Sequence, residues 1–325
     1  MRIGDVKLKS NVVMAPIAGM TDRPYRKIVL RLGAGMVTSE LLSSNAIIRD
    51  SAKTLEMLPT GDEPHPVSAQ IFGADPCIMR DAALIVEDTP CDIIDLNFGC
   101  PAKKVTKNGA GAALLKNMDN AEAVAKAVIN GVKKPVTVKI RTGWDTGSIN
   151  AVEMAKRLEG AGAAAVAIHA RTAAQGYSGE ADWAIIENAA QALSIPVIGN
   201  GDIASPQQAV NRLRNSGCAA VMIGRAALGA PWIFRETNDL LATGVYNSPS
   251  RSEMADVILD QIDMMVERYP ERIGVKKMRT HMAYYTRGMQ NGARFREMVN
   301  KAATRDTLRD LTLDFFIENK VTVLV

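Results

Sequence analysis

The 325-residue sequence has four cysteines, and no two of them stand at a functional spacing. Cys77, Cys91, Cys100 and Cys218 form no CxxC motif and lack the spacing of a metal-binding cluster. Because disulfides are rare in reducing compartments, this pattern favours a cytoplasmic protein with reduced thiols and no metal.

Long apolar runs are also absent. No stretch approaches the about 20 apolar residues that a membrane-spanning helix needs. The first residues include Arg2, Asp5, Lys7 and Lys9, so they do not resemble the apolar core of a signal peptide. We therefore expect a soluble, unexported protein without a membrane partner. The net charge of +4 is too small to identify a partner by itself.

The composition predicts a globular protein, because 47% of the residues are hydrophobic and 23% are charged. The length fits one large barrel with an appendage. Short apolar runs alternate with amphipathic segments up to about residue 230. The predicted strands are 12–16, 36–40, 67–72, 93–98, 136–141, 165–169, 197–200 and 220–224. The predicted helices between them include 76–87, 121–132, 150–159, 183–193 and 206–215.

Eight such β-then-α units predict an α/β protein with a (β/α)₈ TIM barrel, which usually takes about 250 residues. A doubly wound open sheet is the alternative architecture. The second unit is the weakest part of the prediction, because residues 41–66 show no clear helical period.

A cysteine follows the predicted strand 93–98, at the edge where parallel α/β proteins collect ligands. The thiol of Cys100 can serve there as a nucleophile or a proton donor, and the nearby Lys103 and Lys104 could lower its pKa. The alternative is a buried packing cysteine, which is a common role for a lone thiol.

Polar side chains also occur at the ends of other predicted strands. Each of them alone could be a satisfied core group, but together they predict one functional rim. A lysine on the inner face of strand 136–141 would need an anionic partner. These rim residues are Gln70, Asn97, Lys139, Arg141, His169, Arg171, Asn200, Asp202 and Arg225.

Two glycine-containing loops follow the last two predicted strands, at 199–202 (GNGD) and 222–225 (MIGR). Barrels commonly bind phosphate in these positions, although ordinary tight turns would show the same residues. The run 109–114 (GAGAAL) lacks the third glycine and the preceding strand of a dinucleotide-binding fingerprint. We interpret it as a mobile cover over the site.

The last third of the chain is predicted to be helical from Arg251, after a linker at 247–250. Between Arg268 and Arg309, eleven basic residues stand against three acidic ones, a local excess of +8. Tyr284, Tyr285 and His281 are interleaved with these charges. A basic face with aromatic side chains suits an RNA backbone and an unstacked base, although a solvated helical face is the alternative.

Several sequence blocks resemble the signature blocks of the bacterial tRNA-dihydrouridine synthase family, closest to its DusB-like branch. The resemblance covers the whole predicted barrel in order, and the NFGCP segment is its most specific part. The blocks are 15–22 (APIAGMTD), 39–41 (SEL), 70–73 (QIFG), 95–104 (DLNFGCPAKK), 138–141 (VKIR), 168–172 (IHART), 199–202 and 222–225.

The resemblance implies an FMN-bearing barrel that reduces uridines in tRNA, with NADPH as electron donor. It implies that Cys100 donates a proton and that Asn97 and Arg141 contact the uracil. Ile17 and Ala170 depart slightly from the family pattern. The cofactor-binding residues implied by position are Ala15, Pro16, Ile17, Gln70, Lys139, His169, Asn200, Gly201, Asp202, Gly224 and Arg225.

We expect an FMN-binding catalytic domain at 1–246 and a helical tRNA-binding domain at 247–325. Two alternatives stay open. One is an FMN barrel that reduces a free pyrimidine or another small enone, and the other is a non-catalytic RNA-binding barrel protein.

Overall fold

The structure is a computed structural model, and it describes residues 1–318. It begins with a short antiparallel hairpin, β1 (Arg2–Ile3) and β2 (Val6–Lys7), that the sequence did not predict. The barrel strands follow as β3 (Val12–Met14), β4 (Val37–Thr38), β5 (Leu42–Ser43), β6 (Val67–Phe72), β7 (Ile93–Phe98), β8 (Val136–Arg141), β9 (Ala165–His169), β10 (Val197–Asn200) and β11 (Ala220–Ile223).

All pairings within the barrel sheet are parallel, in the order β3-β11-β10-β9-β8-β7-β6-β4. The strands β4 and β5 both pair with β6, and together they take the place of the second strand of the barrel. The Met14 amide donates to the Met36 carbonyl (2.9 Å) and the Gly35 amide to the Val12 carbonyl (2.8 Å), which joins β3 to the other edge. The predicted TIM barrel is confirmed, and the open sheet is excluded.

The helices lie outside the strands, and the five predicted ones are confirmed to within three residues at either end. The Ser205 hydroxyl accepts from the Gln208 amide at the start of the helix Pro206–Asn215, and the Asp75 carboxylate accepts from the Ile78 amide at the start of the helix Pro76–Glu87. The helices up to the end of the barrel are α1 (Arg23–Arg31), α2 (Ser44–Ile48), α3 (Ala52–Leu55), α4 (Pro76–Glu87), α5 (Lys103–Thr106), α6 (Met118–Gly131), α7 (Ala151–Gly160), α8 (Trp183–Ala192), α9 (Pro206–Asn215), α10 (Arg225–Gly229) and α11 (Ile233–Thr243).

The second unit, where the sequence shows no helical period, contains the two short helices α2 and α3 instead of one long helix. The proposed cover at 109–114 includes part of a 3₁₀ helix, Gly111–Lys116. Leu114 and Leu115 of that helix are buried in the barrel core. The segment is therefore packed, which does not agree with the predicted mobile cover.

A helical region follows the barrel. It comprises α12 (Arg251–Arg268), α13 (Glu271–Tyr285), α14 (Gly292–Lys301), α15 (Arg305–Leu313) and a π-helical turn, Asp314–Glu318. Its core is a separate cluster that includes Ile258, Ile262, Met278, Phe295 and Phe316. The start of α12 agrees with the predicted helical tail, while the division into domains at residue 246 stays a prediction. Residues 319–325 of the predicted second domain lie outside the described residues.

Candidate active site

A cavity of about 970 Å³ opens at the carboxyl ends of the barrel strands. The helical region contributes Tyr284, Tyr285, Arg287 and Met289 to its wall. The structure brings the predicted catalytic, substrate and cofactor-binding residues together here: Ala15, Pro16, Ile17, Gln70, Asn97, Cys100, Lys139, Arg141, His169, Asn200, Gly201, Asp202, Gly224 and Arg225. Arg171, which the sequence places on the same rim, does not line the cavity. Their individual roles stay predictions, but their location on one cavity supports treating them as one site.

The register of the central strands places these side chains in rows across the barrel. Asn97 of β7 lies opposite Lys139 of β8, and Arg141 lies opposite His169 of β9. Because side chains alternate along a strand, Lys139 and Arg141 share the inner face. Val138 and Ile140 alternate with them and pack in the outer core.

Backbone hydrogen bonds hold the Cys100 loop. The Cys100 amide donates to Asn97 Oδ1 (2.8 Å), and its carbonyl accepts from the Ala112 amide (3.0 Å). The Cys100 side chain is half-buried at the cavity wall. Lys103 and Lys104 are exposed on α5 and are not among the residues that line the cavity. Neither lysine forms a hydrogen bond to the thiol within residues 1–318.

Lys139 is buried in the cavity wall. Its Nζ donates to Asn200 Oδ1 at 3.2 Å, a neutral acceptor. Burial, and then the positive charge of Arg141, lower the pKa of Lys139 to about 8. Asp95 lies within electrostatic range but makes no hydrogen bond to it. The cavity is thus a place where an anionic group would relieve the cost of a buried cation.

Arg141 is also buried, and its guanidinium is largely occupied by backbone carbonyls. It donates to the carbonyls of Gly99 (2.9 Å), Thr172 (2.8 Å) and Gly176 (2.8 Å). These bonds tie the Cys100 loop to the loop after β9. Beside it, burial and the neighbouring cations, first among them Lys139, lower the pKa of His169 to about 2. The imidazole is therefore neutral near pH 7.

At the rim of the barrel, Asp202 accepts hydrogen bonds from Arg171. The Arg171 guanidinium donates to both carboxylate oxygens, at 2.8 and 2.7 Å, and Arg225 lies 3.7 Å away. Burial alone would raise the pKa of Asp202, but the hydrogen bonds from Arg171 and the Ala181 amide lower it. Asp202 thus holds the two arginines at one end of the cavity.

Gly201 adopts φ +138°, and a Cβ atom there would lie 2.8 Å from the Ala181 Cβ. The loop between β10 and α9 therefore needs glycine for its own packing, whether or not a phosphate binds. Asn200 supports the same loop, because its Nδ2 donates to the Met222 carbonyl at 2.7 Å.

Two residues of the site were missed in the sequence analysis. Asp95 lies on the inner face of β7 with Asn97, and the two-residue alternation of the strand contained that signal. Tyr177 lies in the loop after β9, with its ring centroid 4.6 Å from Arg225 Cζ and 5.7 Å from Arg141 Cζ. No sequence pattern marks Tyr177, because its position depends on the path of an irregular loop.

The basic face of the helical region is smaller than the sequence suggests. Arg305 and Arg309 are paired with Asp263, and Arg279 donates to the Ala302 carbonyl. Four exposed basic side chains between Arg268 and Arg309 form no hydrogen bond or ion pair within residues 1–318, and we call this set the basic face: Arg272, Lys276, Arg287 and Arg294. The aromatic part of the prediction needs correction. His281 is buried in helix packing, Tyr285 is buried where it borders the cavity, and only Tyr284 of the three is partly exposed.

No helix within residues 1–318 has the length and apolar character needed to cross a membrane. The cysteines of the protein are all free, and Cys91 and Cys218 are buried.

Known proteins match the sequence over almost its whole length. The family model for dihydrouridine synthase matches residues 13–320. The tRNA-dihydrouridine synthase B of Xanthomonas axonopodis pv. citri is 42% identical over 97% of this chain and 96% of its own length. The tRNA-dihydrouridine synthase B of Vibrio cholerae is 42% identical over 97% of this chain and 98% of its own.

Among solved structures, histamine dehydrogenase from Rhizobium sp. 4-9 matches with a TM-score of 0.55 and 13% identity, over 81% of this chain and 50% of its own. At that identity the likeness supports the barrel fold alone. The family match and the full-length relatives go further, and they show that this chain belongs to the dihydrouridine synthase family.

Proposed function

We propose that this protein reduces the C5–C6 double bond of selected uridines in tRNA to 5,6-dihydrouridine. The family match and the curated synthases that align with almost the whole chain support this activity. The observation that supports the site assignment is the location of Cys100, Lys139, Asn200 and Arg225 on one cavity. Because tRNA and reduced thiols occur together in the cytoplasm, we propose that compartment as well.

The cavity fits a flavin, and we propose flavin mononucleotide (FMN). Its volume of about 970 Å³ is at the upper end of the range for small-molecule sites. Lys139 is a buried cation without a hydrogen-bonded anion within residues 1–318, and Arg225 offers a half-exposed cation for a phosphate. A cofactor that carries an anionic ring edge and a phosphate satisfies both.

Each group of cavity residues has a proposed part in holding the cofactor. Ala15, Pro16 and Ile17 would line the ring, with Gln70 and Lys139 at its polar edge and His169 beside it. The ribityl chain and phosphate would be held by Asn200, Gly201, Asp202, Gly224 and Arg225. The neutral imidazole of His169 adds no charge next to the ring, which leaves Lys139 to set the local potential.

When bound and reduced, the flavin supplies a hydride to the uracil. The protein supplies the proton, and we propose that the Cys100 thiol donates it to C5. The bonds from Asn97 and Ala112 hold the Cys100 backbone, and Arg141 fixes the preceding Gly99 carbonyl. Asn97 and Arg141 would also contact the uracil, so that one set of residues both positions the thiol and binds the substrate.

We propose NADPH as the electron donor. The described residues contain no second nucleotide-binding fold, so the donor would use the same open cavity before the uridine enters. The tRNA would be held by the basic face, Arg272, Lys276, Arg287 and Arg294. Arg287 belongs to both surfaces, since it also lines the cavity. A flipped uridine can therefore reach the cavity while the backbone stays on the helical region.

Anaerobic spectroscopy tests the proposal. The protein is reconstituted with FMN, its visible absorbance is recorded, and NADPH or NADH is added. Reduced protein is then given tRNA that lacks dihydrouridine, or free uridine as a comparison. Dihydrouridine in the tRNA is measured by mass spectrometry of nucleosides.

We expect a flavin band that bleaches with NADPH and returns with tRNA but not with free uridine. Turnover of free uridine at a comparable rate would favour the small-molecule reductase. A protein that does not take up FMN would contradict the assignment of Lys139, Asn200 and Arg225 and would favour a non-catalytic RNA-binding protein.

A further inference from the structure

A chain of hydrogen bonds leads from the inside of the barrel to the backbone of Cys100. It starts at Asp95, whose Oδ2 accepts from Gln70 Nε2 at 2.6 Å. Gln70 Oε1 then accepts from Asn97 Nδ2 at 2.8 Å. Asn97 Oδ1 accepts from the Cys100 amide at 2.8 Å and from the Gly99 amide at 3.2 Å. Four residues on two neighbouring strands and one loop are thus linked in series.

Both ends of this chain have a fixed polarity. A backbone N–H can only donate, so Asn97 must present its oxygen to Cys100. An ionised carboxylate can only accept, so Gln70 must present its nitrogen to Asp95. The two side-chain amides between them then have one allowed orientation. If either amide rotated by half a turn, two donors or two acceptors would face each other at some point in the chain.

The orientation determines what the cavity wall offers to a ligand. Gln70 and Asn97 both line the cavity, and each oxygen is already used as an acceptor within the chain. Each NH₂ group has donated one hydrogen, and no second partner is found for either within residues 1–318. The wall therefore presents N–H donors at these positions, which suit carbonyl oxygens.

We propose that Asp95 is a positioning residue that sets the direction of this chain. Through Gln70 and Asn97 it holds the Cys100 backbone and turns the free amide N–H groups toward carbonyl oxygens in the cavity. Its meaning for catalysis rests on the proposed flavin and uracil chemistry. The positioning itself is a property of the protein without cofactor or substrate, so it is tested separately.

The surroundings of Asp95 fit this role. The residue is buried, and its other oxygen, Oδ1, accepts from Thr137 Oγ1 at 2.6 Å. Lys139 is the charged side chain that faces it from β8. The Thr137 hydroxyl can turn and accept a hydrogen bond instead. An asparagine at position 95 can therefore keep the chain by accepting from Gln70 and donating to Thr137.

This reasoning ranks four variants. Asp95→Leu removes the acceptor at the end of the chain. Asp95→Asn keeps an acceptor for Gln70 and is the conservative rescue. Thr137→Val alone leaves Asp95 and its bond to Gln70 in place. Gln70→Met removes the middle link, because it takes away both the donor to Asp95 and the acceptor for Asn97 Nδ2.

The direct readout is hydrogen exchange of the peptide that contains Gly99 and Cys100, in cofactor-free protein. We expect exchange about fivefold to tenfold faster in Asp95→Leu and in Gln70→Met, since a hydrogen bond of ordinary strength is lost. Asp95→Asn and Thr137→Val should stay within about twofold of wild type. A peptide covering β10 serves as the internal control for general loosening of the barrel.

Alkylation of Cys100 gives a second readout, separated from Cys77, Cys91 and Cys218 by peptide mass, and its rate should change in the same two variants. If Asp95→Leu does not fold, Gln70→Met carries the test, because methionine nearly conserves the buried volume of glutamine. Wild-type exchange in both broken variants would overturn the proposal. Exchange in Asp95→Asn as fast as in Asp95→Leu would also overturn it. The charge of Asp95, and not the direction of the hydrogen-bond chain, would then be what matters.

Discussion

The cavity wall and the basic face of the helical region both carry cations, but they hold them in opposite ways. Lys139 and Arg141 are buried on barrel strands, and Arg141 donates to three backbone carbonyls. Arg272, Lys276 and Arg294 are exposed and form no bond within residues 1–318. Fixed cations in a site of low polarity act on one bound group with high specificity, while exposed cations attract a polyanion without fixing its geometry.

The comparison predicts that substitutions in the cavity impair chemistry and cofactor binding, whereas substitutions on the basic face weaken tRNA binding in a salt-dependent way. Cavity effects should be nearly independent of salt, because buried groups are screened much less than exposed ones.

The largest effect is expected for Cys100→Ala. Removing the proton donor should lower the rate of dihydrouridine formation by at least about a hundredfold, the usual contribution of general acid catalysis. Flavin content and tRNA affinity should not change, because the thiol has no part in binding either. Cys77→Ala is the matched control, since Cys77 is exposed and is not part of the cavity wall. Full activity of Cys100→Ala would remove the thiol from the mechanism.

Lys139→Met is expected to have the next largest effect. The variant should lose most of its flavin affinity. The pKa of Lys139 is lowered to about 8 in the fold, against about 10.4 in an unfolded chain, so the unfolded state binds more protons between these values. Without flavin, wild-type stability should therefore rise from pH 8 to about pH 10.

Near pH 7 the cofactor-free Lys139→Met protein should be more stable than wild type by on the order of 1 to 3 kcal/mol, because it avoids the cost of a buried charge. The difference should shrink as the pH approaches 10. Thermal unfolding of both proteins across this range measures it. A wild-type protein whose stability does not change over this range would contradict the idea that Lys139 is a buried cation awaiting an anion.

A smaller effect is expected on the basic face. Changing Arg272, Lys276 or Arg294 singly to glutamine should weaken tRNA binding a few-fold and reduce the slope of affinity against salt by about 1. Catalysis at saturating tRNA should be retained. Lys301→Gln is the control, because Lys301 is also exposed but is paired with Glu297 at 3.0 Å. Equal losses in the control would mean that general charge, and not this face, binds tRNA.

The smallest effect is expected for His281→Leu, in the buried core of the helical region. His281 is buried beside Tyr25, with 5.2 Å between ring centroids, and neither ring nitrogen has a hydrogen-bond partner. Burial lowers its pKa to about 4, so acidification from pH 7 toward pH 4 favours the unfolded, protonated form. The leucine variant should lose less stability over this range. An equal or greater loss would assign the acid sensitivity to other groups.

The barrel and most of its site could be predicted because they depend on local patterns. The apolar runs of β7 and β8 alternate with polar residues, and their carboxyl ends must meet on one rim. Residues 41–66 could not be predicted, because α2 and α3 are too short to show a period. The burial of His281 and Tyr285 depends on how α13 packs, which spacing along the chain does not contain.

Contacts between segments that are distant in the chain could likewise not be predicted from the sequence. The pairing of Asp202 with Arg171 and the place of Tyr177 above Arg225 come from the loops after β9 and β10 and from the start of α10, which are close only in the folded barrel. The chain from Asp95 to Cys100 combines a local pattern on β7 with a bond to Gln70 on β6. Its residues were visible in the sequence, but its direction was not.

A single-turnover experiment tests the central claim most directly. Protein loaded with FMN and reduced without oxygen is mixed with tRNA that lacks dihydrouridine, and flavin reoxidation and dihydrouridine are followed together for wild type and Cys100→Ala. We predict that each equivalent of reoxidised flavin yields one dihydrouridine in wild type and that both processes are slowed together in the variant. Reoxidation without dihydrouridine, or equal yields and rates in the two proteins, would contradict the account.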